Sequence, residues 1–519
     1  MTIKVRFAPS PTGFLHVGNI RAALINYIYA QKNNGKFYLR FDDTDIERSK
    51  EEYKEAIIED LEWLGINYDK LYKQSDNLDR YEECKNRLIK SGRLYECYES
   101  QGELNIQRKS QIASGQKPIY DRASLRLTNE QKQKLKDSGI KPYYRFLLED
   151  KKTSWDDKIK GKIIYDGRHF SDPVLIRENG IPTYTFCSVI DDIDHQITDI
   201  IRGEDHITNT AIQIQIFESL GSKIPNFAHL ALVQAISGKI SKRIGGFDIR
   251  SLRKQGFEAM TLINFLTQIG TSKALEIHKN TKEIINDFNF SKFSKSATKY
   301  DINELNIINH KLLQIIDFAH IKDRINNYDL NQNITKDFFD KIKSNLNFLH
   351  EIKIWIEICF TEFRYPNKIE DKDFLQLVAK LIPQDTKDIN CWPTWLKDIK
   401  NHSKRQGQDL FMPIRLALSG QNKGPELTNL INLIEKEEII KRLTNTDAVG
   451  SHESLSSFHK FFLVSHQTAN FDDFAKHAVI FYNLHCLLER HTTRQQLYQI
   501  SCFYNFVRIP GVSCCEDLH

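Results

Sequence analysis

Apolar and polar positions along this chain follow two different periods, and the switches between them mark its elements. Ile20, Ala23, Leu24, Tyr27 and Ile28 fall at i, i+3, i+4, i+7 and i+8, which predicts an amphipathic helix. Ahead of it, Val5, Arg6 and Phe7 open as a short strand, and Pro9, Pro11 and Gly13 then enforce a polar loop. Asn33-Asn34-Gly35 stops the helix, after which Phe37, Leu39 and Phe41 alternate with Tyr38 and Arg40 as a second strand. Strand, loop, helix and strand within about forty residues make a βαβ unit.

Helical spacing returns over 51–94 (Ala56, Ile57, Leu61, Trp63, Leu64, then Tyr81, Cys84, Leu88). From 85 to about 180 the character changes: polar helices at 104–115 and 128–137 lead into strand-like runs at 143–148, 153–158 and 162–165. Residues 182–192 read as a helix capped by Thr183, 197–201 as a short apolar strand, 208–220 as a helix and 230–233 as the next strand. Beyond 248 the pattern is almost wholly helical, with 252–253, 260–270 and 301–313 followed by Lys- and Asn-rich helices carrying Phe338, Phe339, Phe348, Trp355 and Phe360.

Composition narrows this picture. The 519 residues suffice for several domains, and 40% hydrophobic with 27% charged residues is ordinary for a soluble protein. A formal charge of +5 needs no polyanionic partner to explain it. No secretory leader and no membrane-length apolar run is seen, so a cytoplasmic location and no membrane partner are expected. The nine cysteines are scattered, which argues against a disulfide framework.

Candidate chemistry gathers at the predicted strand ends, where open α/β sheets bind ligands. A glycine beginning a helix lets backbone N–H groups approach a phosphate, so Gly18 with His16 beside it is a candidate anion site. Its spacing matches neither G-x-G-x-x-G nor the Walker pattern. Arg40-Phe41-Asp42-Asp43-Thr44-Asp45 ends the second strand; its acidic residues also suit the start of a helix. Arg202-Gly203-Glu204-Asp205-His206 ends a later strand, and Gly238-Lys239-Ile240-Ser241-Lys242-Arg243 is a basic, glycine-flanked loop.

Two of these stretches carry a resemblance. Residues 6–19, from Arg6-Phe7-Ala8-Pro9-Ser10-Pro11-Thr12-Gly13 to Leu15-His16-Val17-Gly18-Asn19, resemble the HIGH signature of class I aminoacyl-tRNA synthetases in its bacterial glutamyl form. Lys239-Ile240-Ser241-Lys242-Arg243 resembles the second signature, KMSKS, in the expected order. Residues 408–420 and 424–427 resemble the family's closing segment, so the likeness spans 3–443. It implies an α/β Rossmann-type class I catalytic domain (1–84 and 181–247) split by an α+β connective insertion (85–180) that holds the tRNA acceptor end. An all-α stem-contact region (248–314) and a helical anticodon-binding domain (315–443) would follow, with 444–519 as an atypical extension.

The resemblance further implies ATP-dependent ligation of L-glutamate to tRNA(Glu) through glutamyl-adenylate, with ATP carried as its Mg2+ complex, by a monomeric enzyme. His16, Gly18, Lys239, Ser241 and Lys242 would be catalytic, with His16, Gly18, Asn19 and Lys242 facing ATP. Arg6 and Tyr184 would contact the glutamate side chain, Arg202 its α-carboxylate, and Ser10 with Asp42 its ammonium, with Ala8 also in the glutamate site. Asp42 stands where the family usually has glutamate, one methylene shorter. Alternatives are an enzyme that also charges tRNA(Gln), an inactive tRNA-binding paralogue, and a glutamyl transferase acting on a tRNA base. Some relatives hold zinc in the insertion; here Cys97-Tyr98-Glu99 and 120–126 offer one thiol, so no zinc is expected. Residues 444–519 are poor in lysine and rich in histidine and read as a non-homologous extension, with His485, Cys486 and His491 as the metal-binding alternative.

Overall fold

The computed structural model describes residues 2–235, 248–272, 274–326, 334–360, 371–388 and 390–444. The expected loop at 238–243 and the extension beyond 444 therefore lie outside the described residues. The described chain packs as two units: one holds the described residues of 1–363, 381–404 and 421–440, the other those of 364–380, 405–420 and 441–444.

The first unit opens with β1 (Lys4–Phe7), α1 (Val17–Lys32), β2 (Lys36–Phe41), α2 (Glu51–Trp63) and β3 (Lys70–Lys73). The three strands pair in parallel, in the order β1-β2-β3. Ile20, Leu24 and Ile28 of α1 are wholly buried, and each contributes roughly 1.5–3 kcal/mol by leaving water. Gly35 turns the chain into β2 against Ile3, whose carbonyl oxygen would stand 2.6 Å from any Cβ placed there. Periodicity puts Arg40 on the polar side of β2, yet it is 0% exposed. The reason is architectural: a central parallel strand is covered on both faces, so alternation does not report exposure there. The helix expected just after Asp45 begins only at Glu51, with Lys50 in the capping place and no side-chain cap.

Next come α3 (Leu78–Lys90), β4 (Leu94–Cys97), α4 (Gln101–Ala113), α5 (Asn129–Asp137), β5 (Tyr143–Phe146), β6 (Lys152–Asp157), β7 (Gly161–Asp166) and β8 (Val174–Ile176). Strands β4, β5 and β8 form a small antiparallel sheet. Hydrogen bonding does not break at residue 180, because β6 and β7 belong to the next sheet, where β6 pairs onward with β10 (Asn226–Leu230) and β10 with β9 (Asp199–Gly203). At the tip of the small sheet, Glu99 accepts from the hydroxyls of Tyr120 (2.8 Å), Ser124 (2.8 Å) and Tyr143 (3.1 Å). Burial pushes the neighbouring Cys97 thiol up to about 11. One protonated thiol beside a carboxylate already accepting three hydroxyl protons does not fit a tetrahedral zinc.

The chain continues through α6 (Tyr184–Asp194), β9 (Asp199–Gly203), α7 (Ile207–Ser219), β10 (Asn226–Leu230) and β11 (Val233–Ala235). Thr183 occupies the N-cap of α6 but does not cap it: its hydroxyl donates to the Val174 carbonyl at 3.1 Å. Strand β9 starts later than its apolar run suggests, since buried Asp199 belongs to it and is bound by Tyr29 (3.2 Å) and Asn226 (3.1 Å). The strand expected at 230–233 lies earlier, because Leu232 leaves the sheet to donate its N–H to Glu204 (3.0 Å). The Thr198 N–H donates to the Lys4 carbonyl at 2.9 Å, so the β1-β2-β3 sheet and the β9-β10 sheet abut at β1 and β9. The ends of β1, β2 and β9, which carry Arg6, Arg40 with Asp42, and Arg202, therefore lie along one edge of these adjoining parallel strands.

Helices α8 (Ile249–Gln255), α9 (Ala259–Gln268) and α10 (Thr281–Asp287), strand β12 (Thr298–Tyr300) and α11 (Ile302–Ile315) follow, with β11 and β12 paired in parallel. Leu262, Phe265, Leu305 and Ile308 join the core that α1 covers. After α12 (Phe318–Asn326) the unit is helical, with α13 (Lys336–Ile342) and α14 (Ile352–Phe360). The second unit contains α15 (Lys372–Lys380), and Arg405 there pairs with Asp371 at 2.9 Å. The first unit regains the chain at α16 (Cys391–Ser403), the second holds α17 (Gln408–Ser419), and α18 (Leu427–Leu433) again belongs to the first.

Candidate active site

Arg6 on β1, Arg40 on β2 and Arg202 on β9 are 3%, 0% and 6% exposed. Three buried guanidiniums on adjoining strands would repel one another unless the fold supplied counter-charge. For two of them it does. Asp192 of α6 accepts from Arg6 Nε at 2.9 Å and Nη2 at 3.3 Å, and from Arg40 Nη1 at 3.0 Å. Arg40 also donates Nε (2.5 Å) and Nη2 (3.2 Å) to Asp42, a two-pronged pair. Asp191 lies 3.7 Å from Arg40 and is fixed by Gln74 (2.8 Å), Asn77 (3.1 Å) and Tyr81 (2.7 Å). Burial works against the charge on Arg40, but Asp42, Asp192 and Asp191 outweigh it and hold its pKa above the ordinary value. The Asp42 carboxyl is pushed up to about 6 by burial, against the pull of Arg40.

Arg202 is built differently. Its Nη1 donates to the Tyr184 hydroxyl (3.1 Å), and its Nη2 to Thr210 Oγ1 (2.6 Å) and Gln213 Oε1 (2.7 Å). Its Nε is buried with no partner, and no carboxylate stands within ion-pair distance among the described residues. Burial lowers its pKa, and the charge of nearby Arg6 adds to the effect. His206, whose ring centroid is 5.5 Å from that of Tyr184, is driven down to about 4 by burial and by Arg202, so it adds no charge at neutral pH. A buried cation surrounded by neutral oxygens is costly until an anion arrives. This crevice is shaped for a carboxylate or phosphate.

Beside these strand ends runs the 8–16 loop. Pro9 accepts the Asp42 N–H at 3.1 Å, which ties the loop to the end of β2. Ala8 is half-buried and Ser10 exposed. His16 is the N-cap of α1: its Nδ1 accepts the Gly18 N–H (3.1 Å), while Asn19 Oδ1 accepts the His16 N–H (3.3 Å). This reciprocal box replaces the usual serine and glutamate pair. With Nδ1 accepting, the neutral ring carries its proton on Nε2, a donor beside a helix N-terminus. Gly18 suits the same contact, since a Cβ there would stand 3.0 Å from His16 Cε1 and the ring would have to give by a few tenths of an ångström. His16 also bridges to Asp248, the first described residue after the basic loop, and Ile249 donates to the Leu15 carbonyl at 3.2 Å.

The structure thus brings Arg6, Asp42, Tyr184 and Arg202 into one crevice and sets His16, Gly18 and Asn19 at the start of α1. Lys239, Ser241 and Lys242 lie outside the described residues. Sequence reasoning gave no role to Arg40, although it stood in the stretch singled out at the end of the second strand, and none to Asp191, Asp192, Thr210 or Gln213. The adjacent Asp191-Asp192 near the end of α6, where a helix disfavours negative charge, was the available signal.

Comparison with known proteins agrees with this architecture. Residues 2–307 match the family of class I tRNA synthetases (E and Q), catalytic domain, and 312–446 match an anticodon binding domain. The chain is 49% identical over 444 residues to glutamate–tRNA ligase 1 of Rickettsia felis, covering 85% of this chain and 99% of that protein. It is 50% identical over 440 residues to glutamate–tRNA ligase 2 of Rickettsia canadensis, with 85% and 99% covered. A glutamate tRNA ligase from Elizabethkingia meningosepticum, crystallised in complex with its amino acid, superimposes with a TM-score of 0.74 at 26% identity, covering 86% of this chain and 99% of that one. The chain belongs to the class I tRNA synthetases of the glutamate and glutamine group.

Proposed function

We propose that this protein ligates L-glutamate to tRNA(Glu) at the cost of ATP, through glutamyl-adenylate. The observation that carries this reading is Arg202, a buried guanidinium held only by neutral oxygens in a crevice where the other arginines are neutralised. Its charge suits the α-carboxylate of the amino acid. The Arg6 nitrogen not engaged by Asp192, with the Tyr184 hydroxyl, suits the side-chain carboxylate. Asp42 and the neighbouring Ser10 suit the ammonium, with the Ala8 backbone alongside. A neutral amide in place of the side-chain carboxylate would bring no charge to the Arg6 nitrogen that Asp192 leaves unengaged and would forgo that charge-assisted bond, so glutamine should bind more weakly.

In activation an oxygen of the α-carboxylate attacks the α-phosphorus of ATP, and the bond to diphosphate breaks. Negative charge grows on phosphoryl oxygens, so the site must present donors and cations rather than a nucleophile of its own. The N-terminus of α1 and the Nε2–H of His16 serve one side of the phosphates. By motif, Lys239, Ser241 and Lys242 serve the other. ATP would arrive as its Mg2+ complex, with the ion held mainly by the nucleotide. A ribose hydroxyl of the terminal adenosine then attacks the acyl carbon and AMP leaves. Among the described residues no helix is long and apolar enough to cross a membrane. The test is glutamate-dependent exchange of diphosphate into ATP with and without tRNA, using glutamine as control. Exchange that requires glutamate supports the reading; tRNA binding with no ATP consumption under any of these conditions refutes it.

A further inference from the structure

Behind Arg202, on the side away from Tyr184, a chain of buried hydrogen bonds runs back into the sheet. Thr210 Oγ1 lies 2.6 Å from Arg202 Nη2 and 2.9 Å from His229 Nε2. His229 Nδ1 lies 2.5 Å from Asp157 Oδ2, and Asp157 Oδ1 accepts the N–H groups of Ile159 (3.0 Å), Lys160 (2.9 Å) and His229 (3.2 Å). Thr210 and His229 are 0% exposed and Asp157 4%.

The proton positions follow from the partners. An ionised carboxylate only accepts, so the ring proton of His229 sits on Nδ1 and points at Asp157. Nε2 is then an acceptor and, at 2.9 Å, takes the single Thr210 hydroxyl proton in preference to the His206 carbonyl, the other acceptor within reach at 3.2 Å. That orientation turns the oxygen lone pairs of Thr210 toward Arg202. The charged and titratable groups around His229 are Asp157, Arg202, Lys160, Glu204 and His206. Burial, with Arg202 and Lys160, keeps the ring below its usual pKa although Asp157 pulls the other way.

A carboxylate in the place of Thr210 would hold the guanidinium more firmly but would cancel the charge meant for a ligand. A hydroxyl whose proton is committed elsewhere holds it without doing so. We propose that Thr210 and His229 are positioning residues for Arg202: anchored on Asp157, they fix the direction of the guanidinium while leaving its charge for the incoming carboxylate. This rests on the reading that Arg202 receives the amino acid's α-carboxylate.

The test is diphosphate exchange in the presence of tRNA, recording KM for glutamate, KM for ATP and kcat, with thermal unfolding alongside. Thr210→Val, nearly isosteric, should raise the glutamate KM about tenfold or more, with ATP KM unmoved. Thr210→Ser, which restores the hydroxyl, should return it to near the parent value. His229→Gln, whose amide can accept from Thr210 and donate to Asp157, should be milder than His229→Leu, and this pair gives the same readout should Thr210→Val not fold. A glutamate KM unchanged in Thr210→Val but raised in Arg202→Met overturns the positioning role alone. A glutamate KM unchanged in Arg202→Met overturns the reading of Arg202 beneath it as well.

Discussion

Arg40 and Arg202 are the same residue type on parallel strands of one fold, both nearly sealed from water, and the molecule uses them in opposite ways. Arg40 is enclosed by Asp42, Asp192 and Asp191, and its charge is consumed in joining β2 to α6. Arg202 touches a phenol, a hydroxyl and an amide, and its charge is left over. Burial alone does not distinguish a structural arginine from a ligand-binding one; the identity of its acceptors does. Arg6 stands between the two cases, paired with Asp192 on one edge and near enough to Arg202 to depress its pKa.

The contrast is open to attack by making one substitution at both places. Arg40→Met leaves Asp42 and Asp192 buried with a lost partner and should cost about 3–5 kcal/mol of folding stability, read from the urea midpoint. Arg202→Met removes an unpaired buried charge, so the midpoint should hold or rise. Its glutamate KM should instead climb about a hundredfold to a thousandfold, equivalent to roughly 3–4 kcal/mol, at constant ATP KM. A gentler probe is pH. Because burial raises the Asp42 pKa to about 6, the carboxylate that would face the ammonium is protonated as pH falls through that value. Glutamate KM should be flat above about pH 6 and rise about tenfold per unit below it. In Asp42→Asn that limb should vanish from an already high KM.

The βαβ opening was legible because α1 and its strands obey their periods, and the motif residues stood out because several lie in short contiguous stretches. What decides their roles was not legible. Arg6 and Asp192 are 186 positions apart, and Asp192 appeared only as one acidic residue near the end of a helix. Arg40 sat on the apparently polar side of β2, and only a sheet covered on both faces puts it inside. His229 lay in no expected strand, because β10 runs through residues whose side chains are partly polar. Periodicity reports one covered face; it carries no information on which distant side chain supplies a counter-charge.

The most direct measurement gives Arg202 the counter-ion that the fold withholds. Gln213 Oε1 already accepts from Arg202 Nη2 at 2.7 Å, so Gln213→Glu places a carboxylate there with almost no change of shape, and the Ser188 hydroxyl next to it can donate in return. Glutamate KM in diphosphate exchange at pH 7 should rise at least about tenfold while the urea midpoint holds or increases. A glutamate KM equal to that of the parent enzyme in the folded Gln213→Glu variant would contradict the claim that Arg202 holds its charge in reserve for the substrate.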